Sequence, residues 1–379
     1  MKKIIAAACA AAFCFSGCSV VGSSDGLQRT AEYSESLAPQ KCDESYVPLN
    51  YRKQVGIWLP YVKFPEIMQG KNEEDFRRAL AEFMEDAVAD NVNTIYFHVH
   101  PMGDAYYNSE IYPKGVYLDG DYDALDIVLD EAHKRDISVH AWINPLRLQT
   151  DEEMRTLPED YIVKKWIDEG KPFVRNVNGR WYLDPAYPET VELLERTVSE
   201  ILENYSVDGI HIDDYFYPTT DPDFDREAFE ASGSSDLSEW RIANVDRFVK
   251  ALYDTVKAHN ESLVFGISPQ GNIDADYSTQ YANVRLWGGE KGWCDYIVPQ
   301  IYFGFQNENS PFMPTLDEWV KLVGDSGVAL IIGLAAYKLG REDKWAGAAA
   351  ELEWINDPDI IKKQIEAVKR SGADGYALY

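Results

Sequence analysis

Four of the six histidines in this 379-residue chain, His98, His100, His140 and His211, sit inside short apolar runs and not in the polar stretches between them. Close to each lies a group able to move a proton or grip a polar ligand. Asp104 follows His98 and His100, Asn144 and Arg147 follow His140, and the adjacent carboxylates Asp213 and Asp214 follow His211. Two chemistries use such a set. A carboxyl withdrawn from water keeps its proton toward neutral pH and can donate it, while a second carboxylate acts as base or nucleophile. Several histidines with an aspartate can instead hold a metal ion that activates water. Which applies depends on the elements that carry these residues.

Runs rich in β-branched and aromatic residues recur at 54–61, 93–100, 138–145, 208–217, 263–270, 295–303, 329–339 and 375–379. Helix-period stretches lie between them at 73–90, 122–135, 188–205, 237–259, 315–324 and 357–371, with a weaker one at 278–289. Strands alternating with helices predict an α/β fold with a parallel sheet, and eight strands are the number that closes a (β/α)8 TIM barrel. A doubly wound open sheet is the competitor. It carries a glycine-rich phosphate turn after its first strand, and Leu59-Pro60-Tyr61 offers none. Because the eighth run ends at residue 379, the barrel either lacks its final helix within this sequence or has that strand covered by a helix from elsewhere.

Side chains alternate between the two faces of a strand, so parity says what enters the barrel. In the second run Ile95, Phe97 and Val99 form the apolar set, which turns Tyr96, His98 and His100 inward. The same reading turns His140, Trp142 and Asn144 inward from the third run, and Gly209, His211, Asp213 and Tyr215 from the fourth. Ser268 and Gln270 follow from the fifth, Gln300 and Tyr302 from the sixth, and Tyr337 from the seventh. The histidines then converge near strand C-terminal ends, where barrel enzymes keep their chemistry. Burying polar groups without partners costs ~1–3 kcal/mol each, so the arrangement reads as a site. Against a metal, His98-Val99-His100 lies on the second run and not the first, and residues 375–379 contain no aspartate. The cysteines lack the close Cys/His spacing of a zinc site. Neither a metal nor a cofactor is expected.

A composition of 45% hydrophobic and 26% charged residues excludes global disorder and a collagen-like fibre. The 36 basic and 64 acidic side chains leave a net charge of −28, which argues against nucleic acid as a partner and disfavours steering of an anionic substrate. Lys2 and Lys3 precede an apolar stretch over residues 4–15, too short to span a bilayer comfortably. Phe15-Ser16-Gly17-Cys18 then looks like a bacterial lipobox. The expected organisation is a signal peptide over 1–17, lipidation of Cys18, a flexible tether over 18–50 and one barrel over 51–379. Membrane contact is expected only through the lipid, with the protein outside the cytoplasm of a bacterium. Cys9 and Cys14 leave with the signal, and Cys42 and Cys294 cannot by themselves define a disulfide scaffold. Oligomeric state is left open.

Six stretches in order resemble the glycosyl hydrolase-like 10 family, also described as YddW-like lipoproteins. They are Phe97–Tyr107, His140–Arg147, Leu183-Asp184-Pro185, Asp208–Pro218, Phe265–Gly271 and Asp295–Phe303, the most specific being DGIHIDDYFYP over 208–218. The resemblance covers roughly residues 52–379. It implies a secreted or lipid-anchored (β/α)8 barrel that hydrolyses glycosidic bonds, with bacterial cell-wall glycan as substrate class. His98-Val99-His100-Pro101 stands where many members have Gln-Val-Arg-Pro, and Gln270 where a phenylalanine is usual. Both departures fall at the expected pocket.

Glycoside hydrolysis needs a proton donor at the leaving oxygen and a second carboxylate, ~5–5.5 Å away for retention or ~6.5–9.5 Å for inversion. On this reading Asp213 is the acid, and Asp214 participates if the strand end twists it into the cleft. Asp104 is the further catalytic candidate. Asp184 is a candidate contact whose plain alternative is a helix cap ahead of the fourth helix. A 2-acetamido group on the sugar could itself serve as nucleophile, oriented by the aspartate pair. Trp58, Trp142, Tyr215, Tyr302 and Tyr337 offer apolar planes for sugar faces. Asn144, Arg147, Gln270 and Gln300, with His98, His100, His140 and His211, complete the expected binding set, and Arg147 could meet a lactyl carboxylate. The partner is therefore a polysaccharide or peptidoglycan glycan. A non-catalytic glycan-binding lipoprotein and a metal-dependent hydrolase are the rival readings.

Overall fold

The computed structural model describes residues 45–379. The signal peptide, the Cys18 lipid site, Cys42 and most of the tether lie outside the described residues. Eleven strands are present there: β1 (Val55–Leu59), β2 (Thr94–His100), β3 (Ser138–Ile143), β4 (Arg147–Thr150), β5 (Val174–Val177), β6 (Arg180–Leu183), β7 (Gly209–Ile212), β8 (Val264–Ile267), β9 (Tyr296–Ile297), β10 (Ala329–Leu334) and β11 (Gly375–Leu378). Eight of them pair in parallel and close as β1-β2-β3-β7-β8-β9-β10-β11. Helices lie between them, so the fold is the (β/α)8 TIM barrel that the strand count predicts. Among the described residues β11 is covered by helix Ile360–Ser371, which precedes it and packs against both β10 and β11.

Parity works along most of the barrel for the reason it was invoked. Ile95, Phe97, Val139, Ala141, Ile210, Ile212, Phe265 and Ile267 are buried in the large core between strands and helices. Trp58, Tyr96, Trp142, Tyr296, Val298, Ile331 and Ala377 form a separate core inside the barrel. Such rings fit only where facing strands are thin. A Cβ on Gly266 would stand 1.8 Å from Cζ of Tyr296.

Parity fails at one place. β2 and β3 pair residue for residue from Thr94 to His98 and then slip, so that His100 meets Ile143. The slip is an inserted residue that rotates the strand end. His100 takes the outward parity of Ile143, packs its ring 4.1 Å from Tyr112, and places Nδ1 2.8 Å from the Asp104 carbonyl oxygen. The expectation of an inward His100 is therefore corrected.

Two further features were not legible as runs. The excursion between β3 and β7 holds a small antiparallel sheet, β4-β6-β5, and helices Asp151–Thr156 and Ile162–Asp168. Its first residue, Arg147, is thereby fixed on a strand. At the opposite end, the segment just before β1 docks under the barrel ahead of the expected tether boundary. Tyr46 donates from Oη to Asp208 at 2.6 Å, the Leu49 N–H to the same carboxylate at 2.5 Å, and Arg52 pairs with Asp374 at 3.0 Å. Among the described residues no helix is long and apolar enough to cross a membrane.

Candidate active site

Two layers of side chains fill the barrel, and they differ in how their polar atoms are served. In the lower layer the Trp58 indole N–H donates to Nε2 of His211 at 3.2 Å. Nε2 is therefore the acceptor and the proton sits on Nδ1, which donates to the Tyr296 hydroxyl at 3.0 Å. That hydroxyl in turn donates to Nδ1 of His140 at 2.6 Å. Tyr96 stacks on His211 at 4.2 Å and donates to Gln54 Oε1 at 2.5 Å. Burial keeps both imidazoles neutral, pushing His140 down to about 4 and His211 well below its usual value. His140 and His211 are thus hydrogen-bonded parts of the barrel interior, beneath the mouth.

The upper layer lies two residues further along the same strands. His98 stacks on Trp142 at 3.6 Å, with Tyr61 meeting it edge-on at 5.6 Å. Both ring nitrogens of His98, Nε1 of Trp142, Oδ1 of Asn144 and Nε of Arg147 are buried without a well-formed hydrogen bond, although Asn144 lies close enough to His98, and Trp142 to Asp213, for a loose polar contact. Burial first, then the Arg147 charge, holds His98 neutral. Arg147 lays its guanidinium 4.6 Å above the Tyr215 ring and makes no ion pair among the described residues. Buried polar groups are rarely left without partners. A wall with five such atoms, three strands wide, is suited to a polar ligand.

Asp213 stands beside this wall, just past the end of β7, and is 4% exposed. Burial first and the Asp214 charge second push its carboxyl well above the usual range, against the opposing pull of Arg147. The Tyr215 N–H donates to its Oδ1 at 3.4 Å. Asp214 follows the end of β7, where the pleat no longer governs direction. It accepts from Nε2 of Gln300, just past β9, at 3.1 Å, while that amide also reaches the carbonyl oxygen of Ser268 past the intervening β8 at 3.2 Å. Burial raises Asp214 as well, with the Gln300 bond working the other way. Gln300 is held in register by bridges to Gln270 and Gly333. The far side of the mouth is aromatic: Tyr302, Tyr337 and Tyr379 lie 5.7–6.0 Å apart, and Tyr379 meets Trp58 at 5.9 Å.

The remaining acids lie apart from this pair. Asp104 accepts the Met102 N–H at 3.0 Å inside its own turn, and burial pushes it up to about 7. Asp184 accepts the Ala186 N–H at 2.9 Å and lies near Arg175; burial pushes it too up to about 7. It precedes the helix Pro188–Asn204 without capping it, since Tyr187 is the N-cap and makes no side-chain cap bond. A groove of about 520 Å³ between helices Phe312–Val323 and Ile360–Ser371 is on the outer surface, lined by Lys363, Asp357, Glu353 and Phe305 among others.

Sequence reasoning missed three contributors. Tyr379 ends the 375–379 run with the inward parity of Ala377 and could have been found by reading parity along that run too. Tyr61 follows Pro60 past β1, where no period applies. Asp276 is fully buried behind the mouth, accepting the Gln270 N–H at 3.0 Å with its other oxygen unpartnered, and only the fold brings it there. For the metal reading the residues present do not fit: among the described residues no three His, Cys, Asp or Glu side chains group as a metal site. His140 and His211 share one tyrosine hydroxyl, and His100 is turned away.

The sequence pattern of the Glycosyl hydrolase-like 10 family matches residues 54–348. The chain belongs to that family, and with it to the glycoside hydrolases. Glycosyl hydrolase DigH of Escherichia coli strain K12 is 30% identical over 375 residues, covering 87% of this chain and 82% of the relative. Glycosyl hydrolase YngK of Bacillus subtilis is 30% identical over 333 residues, covering 80% of this chain; the match spans only 64% of YngK's own length. Among solved structures, the glycoside hydrolase domain of PgaB (BpsB) from Bordetella bronchiseptica superposes with a TM-score of 0.57 at 14% identity, covering 86% of this chain and 92% of that one. An alpha-L-fucosidase from Paenibacillus thiaminolyticus gives 0.55 at 13% identity, over 86% of this chain and 46% of that one. At these identities the two structures share the fold.

Proposed function

We propose that the protein is a lipid-anchored bacterial hydrolase outside the cytoplasm that cleaves an amino-sugar glycan of the cell wall at the barrel mouth. The observation that carries this reading is Asp213, a buried carboxyl raised by burial and by Asp214, at the foot of a wall of unpartnered polar atoms. Held protonated, Asp213 gives its proton to the glycosidic oxygen as the bond to the anomeric carbon breaks. Asp214, aimed by Gln300, stabilises the charge developing on the sugar. Water completes the reaction at the anomeric carbon and its proton returns to Asp213.

Asp104 and Asp184 are each held in their own loops, which favours a particular form of the second step. The carbonyl oxygen of a 2-acetamido group on the sugar attacks the anomeric carbon, with Asp214 accepting from the amide N–H. His98, Trp142 and Asn144 line the pocket around that sugar, and Arg147 offers an unpaired cation to a lactyl carboxylate. The net charge of −28 for the whole sequence is then no obstacle, because the mouth is aromatic and amide-rich with the Arg147 guanidinium free of an ion pair. Lysines 2 and 3, the apolar stretch and Cys18 support export and anchoring.

Release of reducing ends from peptide-free peptidoglycan strands tests the assignment. Wild type should be active and Asp213→Asn nearly inactive; equal rates would remove Asp213 as the acid. A thiazoline that mimics the cyclised acetamido intermediate should inhibit, and its failure would point to Asp214 as nucleophile. For the anchor, Cys18→Ser should leave the protein soluble or unprocessed.

A further inference from the structure

Trp345 is 86% exposed, the most exposed large apolar side chain among the described residues after which only Val47 comes close. An indole in water on a slack loop would need no explanation. The loop here is braced from several sides. Asp343, 4% exposed, accepts the Trp345 N–H at 3.3 Å with one carboxylate oxygen and pairs with Lys338 Nζ at 2.7 Å through the other. Asn309 Nδ2 donates to the Trp345 carbonyl oxygen at 3.3 Å, and the Glu308 N–H to that of Ala346 at 2.8 Å. Glu308 also accepts the Ala349 N–H at 3.0 Å, and the Asp343 N–H donates to the Glu351 carbonyl oxygen at 2.9 Å. All of these contacts use the backbone of the loop or its polar neighbours. The indole takes no part in them.

The brace is continuous with the mouth. Lys338 donates from Nζ to the Tyr302 carbonyl oxygen at 2.8 Å and follows Tyr337 in the same short helix, Ala336–Lys338. Both segments leave the C-terminal ends of barrel strands, β9 and β10, which is the end that carries Asp213. Aromatic rings run from Trp58 inside the barrel through Tyr379 to Tyr302 and Tyr337. Lys338 lies 6.0 Å over the buried Trp354 ring, and its partner Asp343 accepts the Trp345 backbone N–H, which ties the loop of the exposed indole to the mouth. A rigid, solvent-facing ring offers large contact area at little cost in conformational entropy.

We infer that Trp345 is an outer sugar platform, binding a glycan strand several residues away from the bond that is cut. The inference rests on the glycan-hydrolase reading of the mouth. The ligand class is a neutral or weakly charged polysaccharide chain long enough to reach from Asp213 past Tyr302 and Tyr337. Short oligosaccharides that fill only the mouth would not touch Trp345.

The test uses the Asp213→Asn protein, with and without Trp345→Ala, and peptide-free peptidoglycan strands fractionated by length, binding being measured by affinity electrophoresis and calorimetry. Cleavage by the active parent and its Trp345→Ala variant is followed in parallel. Removing the indole leaves the backbone brace in place, so folding should be unaffected. Long strands should bind roughly three- to tenfold more weakly to the alanine variant, disaccharide and tetrasaccharide fragments equally well, and Trp345→Tyr should restore most of the loss. Equal binding of long strands to both proteins would overturn the platform while leaving the mouth assignment standing. Equal losses at every length would overturn it too, by making Trp345 a structural residue of the mouth. Unchanged strand binding with weaker retention on lipid vesicles would replace the glycan with a membrane surface. Absence of both binding and cleavage in the parent proteins would remove the hydrolase reading and the platform together.

Discussion

Two layers of one barrel, built two residues apart on the same strands, have opposite characters. Tyr96, His140 and His211 belong to the lower one, where the Trp58 N–H, both imidazoles and the Tyr296 hydroxyl form a continuous chain of hydrogen bonds. His98, Trp142, Asn144 and Asp213 belong to the upper one, where both nitrogens of His98, Nε1 of Trp142 and Oδ1 of Asn144 are buried without a well-formed hydrogen bond. Both contain histidine and aromatic rings, so residue type does not separate structure from site. What separates them is whether each donor has been given an acceptor inside the molecule. A satisfied network specifies a unique core, and an unsatisfied one waits for a ligand.

The comparison is most exposed at Asp213. Asp213→Asn should lower kcat/KM by ~10²–10⁴-fold, the range for loss of a general acid, while the denaturation midpoint stays level or rises. A variant that lost stability in proportion to activity would place Asp213 with the lower layer. Next in size is a paired substitution. His211→Phe should cost ~1–3 kcal/mol in urea unfolding, because the Trp58 N–H and the Tyr296 hydroxyl lose a partner in the interior. His98→Phe keeps a ring against Trp142, removes two unpartnered nitrogens, and should be neutral or stabilising while weakening substrate binding. The same sign for both would erase the distinction between the layers.

Titration offers a smaller effect with two opposite signs. His140 is pushed down to about 4, below its unfolded value, so its contribution is present above pH ~6.5 and is lost as pH falls toward 4. Asp184 is pushed up to about 7, above its unfolded value, so stability is greatest while both states are protonated and declines as pH rises from the ordinary carboxylate range to 7. Asp184→Asn should therefore be more stable than wild type by ~1–2 kcal/mol at pH 8, and the gain should vanish near pH 4. A pH-independent difference would mean that Asp184 does not titrate as its burial demands. Smallest of all, Gln300→Ala should slow turnover by a factor corresponding to ~1 kcal/mol, the worth of one hydrogen bond aiming Asp214. No change in rate would leave Asp214 positioned by something else.

Much of this architecture was legible because it depends on periods. Alternation along residues 93–100 and 138–145 separated outward Ile95, Phe97, Val139 and Ala141 from inward Tyr96, His98, His140 and Trp142, and helix-period stretches between eight runs predicted the barrel. The illegible parts are those that no period reports. The bulge that turns His100 onto Tyr112 is one inserted residue, and its effect depends on the pairing with β3. Asp276 reaches the back of the mouth through a crossover, and Arg147 is held there by pairing with Tyr182 of β6, a strand far along the chain.

The sequence by itself therefore determined which face most strand residues would take, His100 excepted, and which chemical groups could meet at one end of a barrel, because alternation is a local property of the backbone. Only the tertiary structure decided which of those groups are already spent. Whether His211 or His98 finds a hydrogen-bond partner depends on the surroundings that Trp58, Tyr296 and Tyr61 provide, residues brought from elsewhere in the chain at distances its order does not encode. Hydrogen bonding is a property of pairs in space, so the line between core and site is drawn by the closed barrel.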